Sequence, residues 1–306
     1  MKKNFLKFTL IAFLFPLLAA CSASALPSDG SDQLHVVATT TIVADVVRQV
    51  GGKWVDVQIL LPAGTDPHSF DPTPQDIAKI ADADLVFANG AGLEAFLTPL
   101  LESANAQDKI VEVSAGVPLL IAPEAEDEAH AQGDPHTWTD PNNVIIWVKN
   151  IRTALSAADP DHAEDYAANA TAYIAKLKEI DAWIREEIAQ IPIENRKIVT
   201  DHRLLGYYVD EYGLEQVGAI LPGYSSLSEA SAQELADIED AIRSIGVKAI
   251  FVGNTVNPNL AERIAEDTGV QLIYFYTGSL SPADGDAPTY LDYLRYNTKV
   301  FVEALK

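Results

Sequence analysis

Three of the six histidines in the sequence stand in acid-flanked loops where a strand-like run ends, two of them directly after the apolar runs 55–61 and 197–199. They are His68, His136 and His202, and the first two share the phrase Asp-Pro-His. Neutral imidazole is the commonest protein ligand for a transition metal, and three such ligands leave one position of a tetrahedral site open. Taken singly, each histidine also fits an ordinary surface loop. Taken together, the three predict one shared metal site.

The acidic residues near these histidines are candidates to orient the imidazole rings. A carboxylate that accepts a hydrogen bond from the second ring nitrogen fixes the ring and raises its basicity. Because Asp before Pro also starts turns, turn formation is the more ordinary interpretation for any one of them. The candidates are Asp66, Asp71, Asp140 and Asp201.

The elements that must position these loops alternate between strand and helix in both halves of the chain. Short apolar strands separated by helices predict parallel sheets with right-handed crossovers. The expected fold is therefore α/β, with two similar parallel-sheet lobes at residues 34–158 and 193–306. The predicted strands are 35–39, 55–61, 85–88, 110–113, 197–200, 216–220, 249–252 and 271–274. The predicted helices are 42–50, 75–81, 93–104, 204–212, 232–245, 259–268 and 289–305.

A single long helix is predicted between the two lobes, at residues 159–192. Asp159 is a good N-cap and Pro160 suits the first helical position. Apolar residues then recur at helical spacing until Pro192 ends the pattern. Such a helix would run about 45 Å, enough to join both lobes rigidly. Ser231 and Glu234 predict a capping box at the start of a later helix.

The N-terminus has the pattern of a secretory leader. Two lysines precede an apolar stretch that is too short to span a membrane, and small residues follow it. The segment 18–21 (LAAC) resembles the bacterial lipobox, in which the cysteine becomes the lipidated first residue. Because Cys21 is the only cysteine, we predict a signal peptide at 1–20, a lipid anchor at Cys21 and a flexible tether at 21–33. Ordinary signal cleavage nearby, for instance after Ala25, is the alternative.

Charge excludes one class of partner. The formal net charge is −23 at pH 7, and an acidic surface of that size repels nucleic acid. The acidic segment 124–133 contains His130 and lacks apolar periodicity, so it is predicted to be a surface loop. A metal-gathering role is the alternative for this segment, because it precedes His136.

Longer motifs around the histidines are spread over nearly all of residues 34–306. Through them the chain resembles the cluster A-I solute-binding proteins, the zinc- and manganese-capturing lipoproteins of bacterial ABC importers. The motifs are Asp66-Pro67-His68 with 71–76 (DPTPQD), 89–94 (NGAGLE), 134–138 (DPHTW) with 140–141 (DP), His202 with 206–207 (GY) and 212–214 (YGL), and Tyr290 with 294–297 (LRYN).

The resemblance implies two α/β lobes joined by a rigid helix, with one metal ion in the cleft between them. It places the first two histidines on the N-terminal lobe and the third on the C-terminal lobe. Many relatives carry an acidic fourth ligand, typically Asp before Ser, ahead of the last helix. Gly278 stands at that position here and has no side chain to ligate. The expected fourth ligand is therefore water, or a carboxylate from the loop that contains Asp284 and Asp286.

The predicted metal is zinc, with manganese as the alternative. Three imidazoles with an open or oxygen-filled fourth place suit Zn²⁺ better than Mn²⁺, which favours oxygen ligands. Manganese binders of the family also tend to place a carboxylate at the position of His202. Copper would bind three histidines more tightly still, so the choice of metal depends on supply as well.

Two other classes of function compete with metal capture. Three histidines and a water are also the ligand set of a zinc hydrolase, but that reaction needs a general base beside the water. The sequence has no His-Glu-x-x-His pair and no Gly-x-Ser-x-Gly elbow. An organic ligand would favour an aromatic-lined cleft, whereas the four tryptophans are scattered and predicted to lie in the core. A binding protein without enzymatic activity is the expected class.

The expected function is capture of Zn²⁺ outside the cytoplasm and delivery to an ABC permease. The predicted protein is a monomeric lipoprotein, held by its N-terminal lipid in the periplasm or at the outer face of the cytoplasmic membrane. A metal ion that bridges the lobes would stabilise one arrangement of them, so a permease could distinguish loaded from empty protein.

Overall fold

Two parallel sheets, one from each half of the chain, carry the loops in which the histidines stand. The computed structural model describes residues 33–121 and 133–306. In both sheets the first strand of the lobe lies between the second and the third, as the predicted pair of similar α/β lobes requires. The first sheet contains β1 (Leu34–Ala38), β2 (Val55–Ile59), β3 (Leu85–Ala88) and β4 (Ile110–Glu112), and the second contains β5 (Lys197–Thr200), β6 (Glu215–Ala219), β7 (Ala249–Gly253) and β8 (Gln271–Phe275).

This strand order creates a crevice for a ligand at the carboxyl ends of the strands in each sheet. In each lobe the chain goes from the first strand to the second on one side and then crosses back to the third on the other side, which makes a topological switch point beside the first strand. Crevices for ligands form outside the carboxyl ends of the strands at such points. His202 follows β5, the strand at the switch point of the second sheet, after a single intervening residue.

Helices cover both sheets, close to the predicted positions. They are α1 (Thr41–Gly51), α2 (Pro74–Asp82), α3 (Leu97–Ala104), α4 (Pro141–Ala158), α5 (Ala163–Ile188), α6 (Gly206–Tyr212), α7 (Ala232–Ile245), α8 (Asn259–Thr268) and α9 (Tyr290–Leu305). α3 begins four residues later than predicted, because residues 90–92 all have positive φ and form a turn. The predicted capping box of Ser231 and Glu234 is present at the start of α7.

The sequence analysis does not predict α4, although this helix directly follows the loop of His136. Asp140 and Pro141 give it an ordinary start, since the Asp140 side chain accepts a hydrogen bond from the Asn142 N–H. Its buried apolar residues form one helical face, with steps of three or four residues and one adjacent pair, but the unbroken apolar run 144–148 obscures that period in the sequence. They include Val144, Trp147, Val148, Ile151 and Leu155.

α5 is the predicted connecting helix, but it starts later than the sequence suggests. Its 26 residues would run roughly 39 Å. Asp159 does not cap it, because a turn of 3-10 helix at Pro160–His162 intervenes. The Asp159 carboxylate instead accepts from the Tyr166 hydroxyl and lies 2.7 Å from Nδ1 of His162. The predicted cap is wrong, whereas the predicted apolar stripe is buried along the helix.

In the part of the chain that the structure describes, the interior consists of three apolar clusters, and one of them joins the lobes. One cluster lies between the first sheet and the helices α2 and α3, and another between the second sheet and the helices α7 and α8. The third takes in the buried faces of α1, α4, α5, α6 and α9 without a break. α5 packs against α1, α4 and α9, which belong to different lobes. Because parting the lobes would expose this shared apolar surface to water, the fold favours small interlobe movements.

Among the described residues, no helix is long and apolar enough to cross a membrane. The predicted signal peptide, Cys21, nearly all of the tether and the segment around His130 lie outside the described ranges.

Candidate metal centre

The structure brings the three predicted histidines together in the cleft between the sheets. One ring nitrogen from each of His68, His136 and His202 lies within 4.8 Å of the other two. The Nε2 atoms of His68 and His136 are 3.2 Å apart. Within residues 33–121 and 133–306, no carboxylate oxygen or thiol joins this group. The group therefore offers a metal ion three imidazole nitrogens.

His136 is held by the aspartate two residues before it. Asp134 Oδ1 accepts the His136 backbone N–H at 2.9 Å and lies 2.7 Å from the ring nitrogen Nδ1. Because Nδ1 is engaged in this way, Nε2 is the nitrogen left to face the other histidines. The ring is almost fully buried, with 1% of the residue's surface exposed. Asn89 supports the same loop, since its side-chain N–H donates to the Pro135 carbonyl at 2.9 Å.

Asp134 is a residue of this site that the sequence analysis does not single out. Burial raises the pKa of its carboxyl to about 8, although the hydrogen bond from the His136 N–H acts in the opposite direction. Within the described part of the chain, its Oδ2 is buried without a hydrogen-bond partner. Gly206 leaves room for this oxygen, because a Cβ there would lie 2.5 Å from it. The sequence feature that could have pointed to Asp134 is the repeated Asp-Pro-His phrase, in which Asp66 and Asp134 hold equivalent places.

His202 is held in a similar way by Asp201. Asp201 Oδ1 accepts the His202 backbone N–H at 2.6 Å and lies 2.5 Å from Nδ1 of the ring. Its Oδ2 accepts the N–H of Gly253, at the carboxyl end of β7, at 2.5 Å. The carboxylate thus fastens the ring to the second sheet, and the ring of His202 presents Nε2 to the cleft.

The remaining predicted acids have different roles. Asp66 Oδ1 accepts the His68 backbone N–H at 3.0 Å, so Asp66 shapes the loop of a half-buried histidine. Asp71 is exposed. Asp140 caps α4, and burial raises the pKa of its carboxyl to about 6, with repulsion from Glu211 and Asp181 adding to the rise.

On the side of the second lobe, the site is bounded by backbone atoms and by Gly278. The Trp138 indole N–H donates to the Thr277 carbonyl at 3.2 Å, which joins the lobes beside the histidines. A Cβ at position 278 would lie 2.8 Å from Cδ of Pro67, so the packing leaves no room for a side chain there. Asp284 and Asp286 are exposed and do not belong to the group of ligand atoms.

The space between the histidines suits a single ion. The cavity has a volume of about 10 Å³, which is close to the least that one water molecule needs. Pockets for drug-sized organic ligands are about 300–1,000 Å³. Its walls include Pro67, Trp138, Leu204 and Thr255 in addition to the histidines. The described geometry thus favours a bare ion over an organic ligand.

Comparisons with known proteins identify the family to which the chain belongs. The sequence matches the family model described as "Zinc-uptake complex component A periplasmic" over residues 36–304. It is 33% identical over 301 residues to the manganese-binding lipoprotein MntA of Halalkalibacterium halodurans, covering 97% of this chain and 98% of that protein. It is 34% identical over 285 residues to the iron-binding protein YfeA of Yersinia pestis, covering 93% and 90% respectively.

Solved structures give the same assignment. The periplasmic zinc binding protein TroA from Treponema pallidum matches with a TM-score of 0.81 and 27% identity, over 89% of this chain and 99% of that one. A manganese-bound mutant of a periplasmic metal binding protein from Candidatus Liberibacter asiaticus matches with a TM-score of 0.80 and 31% identity, over 90% and 100%. The chain therefore belongs to the zinc-uptake complex component A family, the extracytoplasmic lipoproteins that serve metal ABC transporters as substrate-binding components.

Proposed function

We propose that this protein captures Zn²⁺ with His68, His136 and His202 and delivers it to an ABC permease. The observation that carries the proposal is the group of three imidazole nitrogens within 4.8 Å, which no carboxylate of the described residues joins. Imidazole is a good ligand for zinc, whereas manganese favours carboxylate, carbonyl and water oxygens. The composition of the site therefore favours zinc.

The surroundings of the rings support the same metal. Asp134 and Asp201 engage Nδ1 of their histidines, an arrangement that orients zinc-binding imidazoles and strengthens them as ligands. Water is the favoured fourth ligand, because the cavity has room for little more and Gly278 brings no donor. A carboxylate from Asp284 or Asp286 would need its exposed loop to move inward.

Manganese is the second candidate, and the names of relatives support it. MntA of Halalkalibacterium halodurans and PsaA of Streptococcus pneumoniae are both described as manganese proteins. PsaA is 30% identical to this chain over 304 residues. For manganese to be the cargo here, oxygen ligands beyond the three histidines would have to complete the site.

Enzymatic turnover is the weakest of the alternatives. A zinc hydrolase needs a general base beside its metal-bound water. The two carboxylates nearest the rings, Asp134 and Asp201, already engage ring nitrogens. The named relatives are substrate-binding components of transporters, which is the class we propose for this chain.

Delivery would use the division of the ligands between the lobes. His68 and His136 lie in loops of the first lobe and His202 follows β5, so the metal would hold the lobes in one arrangement. A small separation at the permease would remove His202 from the set and weaken the hold on the metal. We expect the loaded protein to act as a monomer, anchored to the membrane through Cys21.

Alanine variants test this assignment. Replacing any one of His68, His136 and His202 with Ala should weaken Zn²⁺ binding by about 100-fold or more, because each removes a direct ligand. His35→Ala is the matched control, since His35 is an exposed histidine outside the site. Calorimetric titration with Zn²⁺ measures the effect. If His202→Ala bound zinc as tightly as the parent, the proposed lobe-bridging site would be wrong.

A further inference from the structure

A loop of the second lobe links the loops of His202 and His68 without involving the metal ion. This loop, residues 220–231, connects β6 to α7, and we call it the β6–α7 loop. Its first part is fastened to the loop of His202 by two backbone hydrogen bonds. Leu221 N–H donates to the Asp201 carbonyl at 2.7 Å, and Arg203 N–H donates to the Gly223 carbonyl at 2.9 Å. The β6–α7 loop therefore moves with His202.

The tip of the same loop reaches across the cleft to the first lobe. The Ser226 hydroxyl donates a hydrogen bond to Asp66 Oδ2. The other oxygen of that carboxylate accepts the His68 backbone N–H at 3.0 Å. Asp66 thus stabilises the turn that positions His68 and also forms a hydrogen bond to the opposite lobe. Between these two anchor regions, Tyr224 lies with its ring 6.4 Å from the ring of His136.

We propose that Ser226 is a positioning residue of the metal site, whose hydroxyl holds Asp66, and through it the His68 loop, against the lobe that carries His202. The inference rests on the proposed function, because it takes these histidines as the ligands of the metal. Separating the lobes would break the Ser226–Asp66 bond in the same movement that withdraws His202. The bond therefore slows metal release.

The chemistry of the bond determines how large this effect is. A hydroxyl that donates to a carboxylate makes a stronger hydrogen bond than one between neutral groups. Ser226 is half-buried, so water replaces part of the lost interaction when the bond opens. Metal association need not involve this bond. The effect of Ser226 is thus on the dissociation rate of the metal, while the association rate stays the same.

The test is rapid-mixing kinetics of Zn²⁺ binding to the metal-stripped protein, followed by release into an excess of chelator. Ser226→Ala is expected to release zinc about tenfold faster than the parent, as loss of a hydrogen bond to a charged group implies. Its association rate should stay within about twofold, because mutations at one interface act mainly on dissociation. Ser226→Thr keeps the hydroxyl and should restore slow release. Ser228→Ala makes the same change two residues along the loop and should behave as the parent.

Three results would overturn the inference and leave the proposed function intact. The first is tight zinc binding by Ser226→Ala with release at the parent rate. The second is release by Ser228→Ala that is as fast as release by Ser226→Ala. The third is failure of Ser226→Thr to slow release relative to Ser226→Ala. A parent protein that binds no zinc would overturn the proposed function itself, and the inference with it.

Discussion

At the residue scale, two buried carboxylates fix the ring orientation of two proposed ligands. Asp134 lies against Nδ1 of His136 and Asp201 against Nδ1 of His202. Neither aspartate reaches the metal position, so their contribution is indirect. Each limits the rotation of an imidazole, which keeps Nε2 directed into the cleft before a metal arrives. The site is therefore ordered in advance on both lobes.

Replacing one of these carboxylates should weaken zinc binding without removing a ligand. Asp201→Asn is expected to lower the Zn²⁺ affinity by about 10- to 100-fold, the usual effect of losing such a ring partner. Competition against a chelator of known affinity measures the change. Asp71→Asn is the control, because Asp71 is exposed. Equal affinities for Asp201→Asn and the parent would mean that the ring of His202 needs no carboxylate.

The sequence was sufficient to find the histidines but not all of their partners. Residue type and position after a strand identified His68 and His202. His136 lies 24 residues after β4, and it was found through the Asp-Pro-His phrase that it shares with His68. The choice between ring partner and turn former depends on whether a side chain folds back onto its neighbour. Asp134 and Asp66 occupy the same place in one phrase. Asp134 engages the ring and the backbone N–H of His136, whereas Asp66 accepts from the His68 N–H and from the hydroxyls of Ser69 and Ser226. These sets of partners depend on packing, which the phrase itself does not encode.

At the element scale, α4 begins at a carboxylate with an unusual proton affinity. Burial, with repulsion from Glu211 and Asp181, raises the pKa of Asp140 from 3.8 to about 6. The folded state therefore holds this proton more tightly than the unfolded state does. Stability from this group is present below about pH 4 and is lost as the pH rises to about 6. At neutral pH the ionised carboxylate opposes folding.

Asp140→Asn should therefore stabilise the metal-free protein at pH 7.5 by on the order of 2 kcal/mol. Asn keeps an oxygen that can accept the Asn142 N–H, so the cap of α4 survives. The gain should shrink toward zero near pH 4, where Asp140 is protonated in the parent. Urea unfolding at both pH values measures it. A variant that is less stable than the parent by the same amount at pH 4 and pH 7.5 would contradict this account.

The elements also show where sequence patterns are informative. α7 has a capping box and clear amphipathic spacing, and its predicted bounds match the observed helix. α4 has an N-cap in Asp140 and a proline at its first position, but it lacks a separated apolar period, so its extent is clear only from its burial. At α5 a good N-cap residue is present, but Pro160 starts a 3-10 turn and the Asp159 side chain finds other partners. The Asp159 side chain therefore binds His162 and Tyr166 in the same segment instead of the first N–H groups of the helix.

At the scale of the whole molecule, the central apolar cluster makes the two lobes one structural unit. The cluster passes without interruption from α1 and α4 through α5 to α9. A metal-driven change must therefore be small, because a wide opening would expose this cluster. Recognition by a permease would then depend on the arrangement of loops at the mouth of the cleft.

Unfolding should be a single cooperative event. Leu177→Ala, in the buried stripe of α5, is expected to cost about 2–5 kcal/mol and to destabilise both sheets together. Lys178→Ala, at the exposed neighbouring position, should cost little. Hydrogen exchange in increasing denaturant would follow amides of β1 and β7 separately. Loss of protection in one sheet well before the other would show that the lobes fold independently.

The central claim, a zinc site made of three histidines, is tested most directly by a competitive titration of the metal-stripped protein with Zn²⁺ and Mn²⁺. We predict one tightly bound Zn²⁺ per chain and an affinity for Mn²⁺ lower by about 100-fold or more, because manganese favours oxygen ligands. Binding of Mn²⁺ as tightly as Zn²⁺ would contradict the claim and point to oxygen ligands from the loop of Asp284 and Asp286. Binding of neither metal would refute the site.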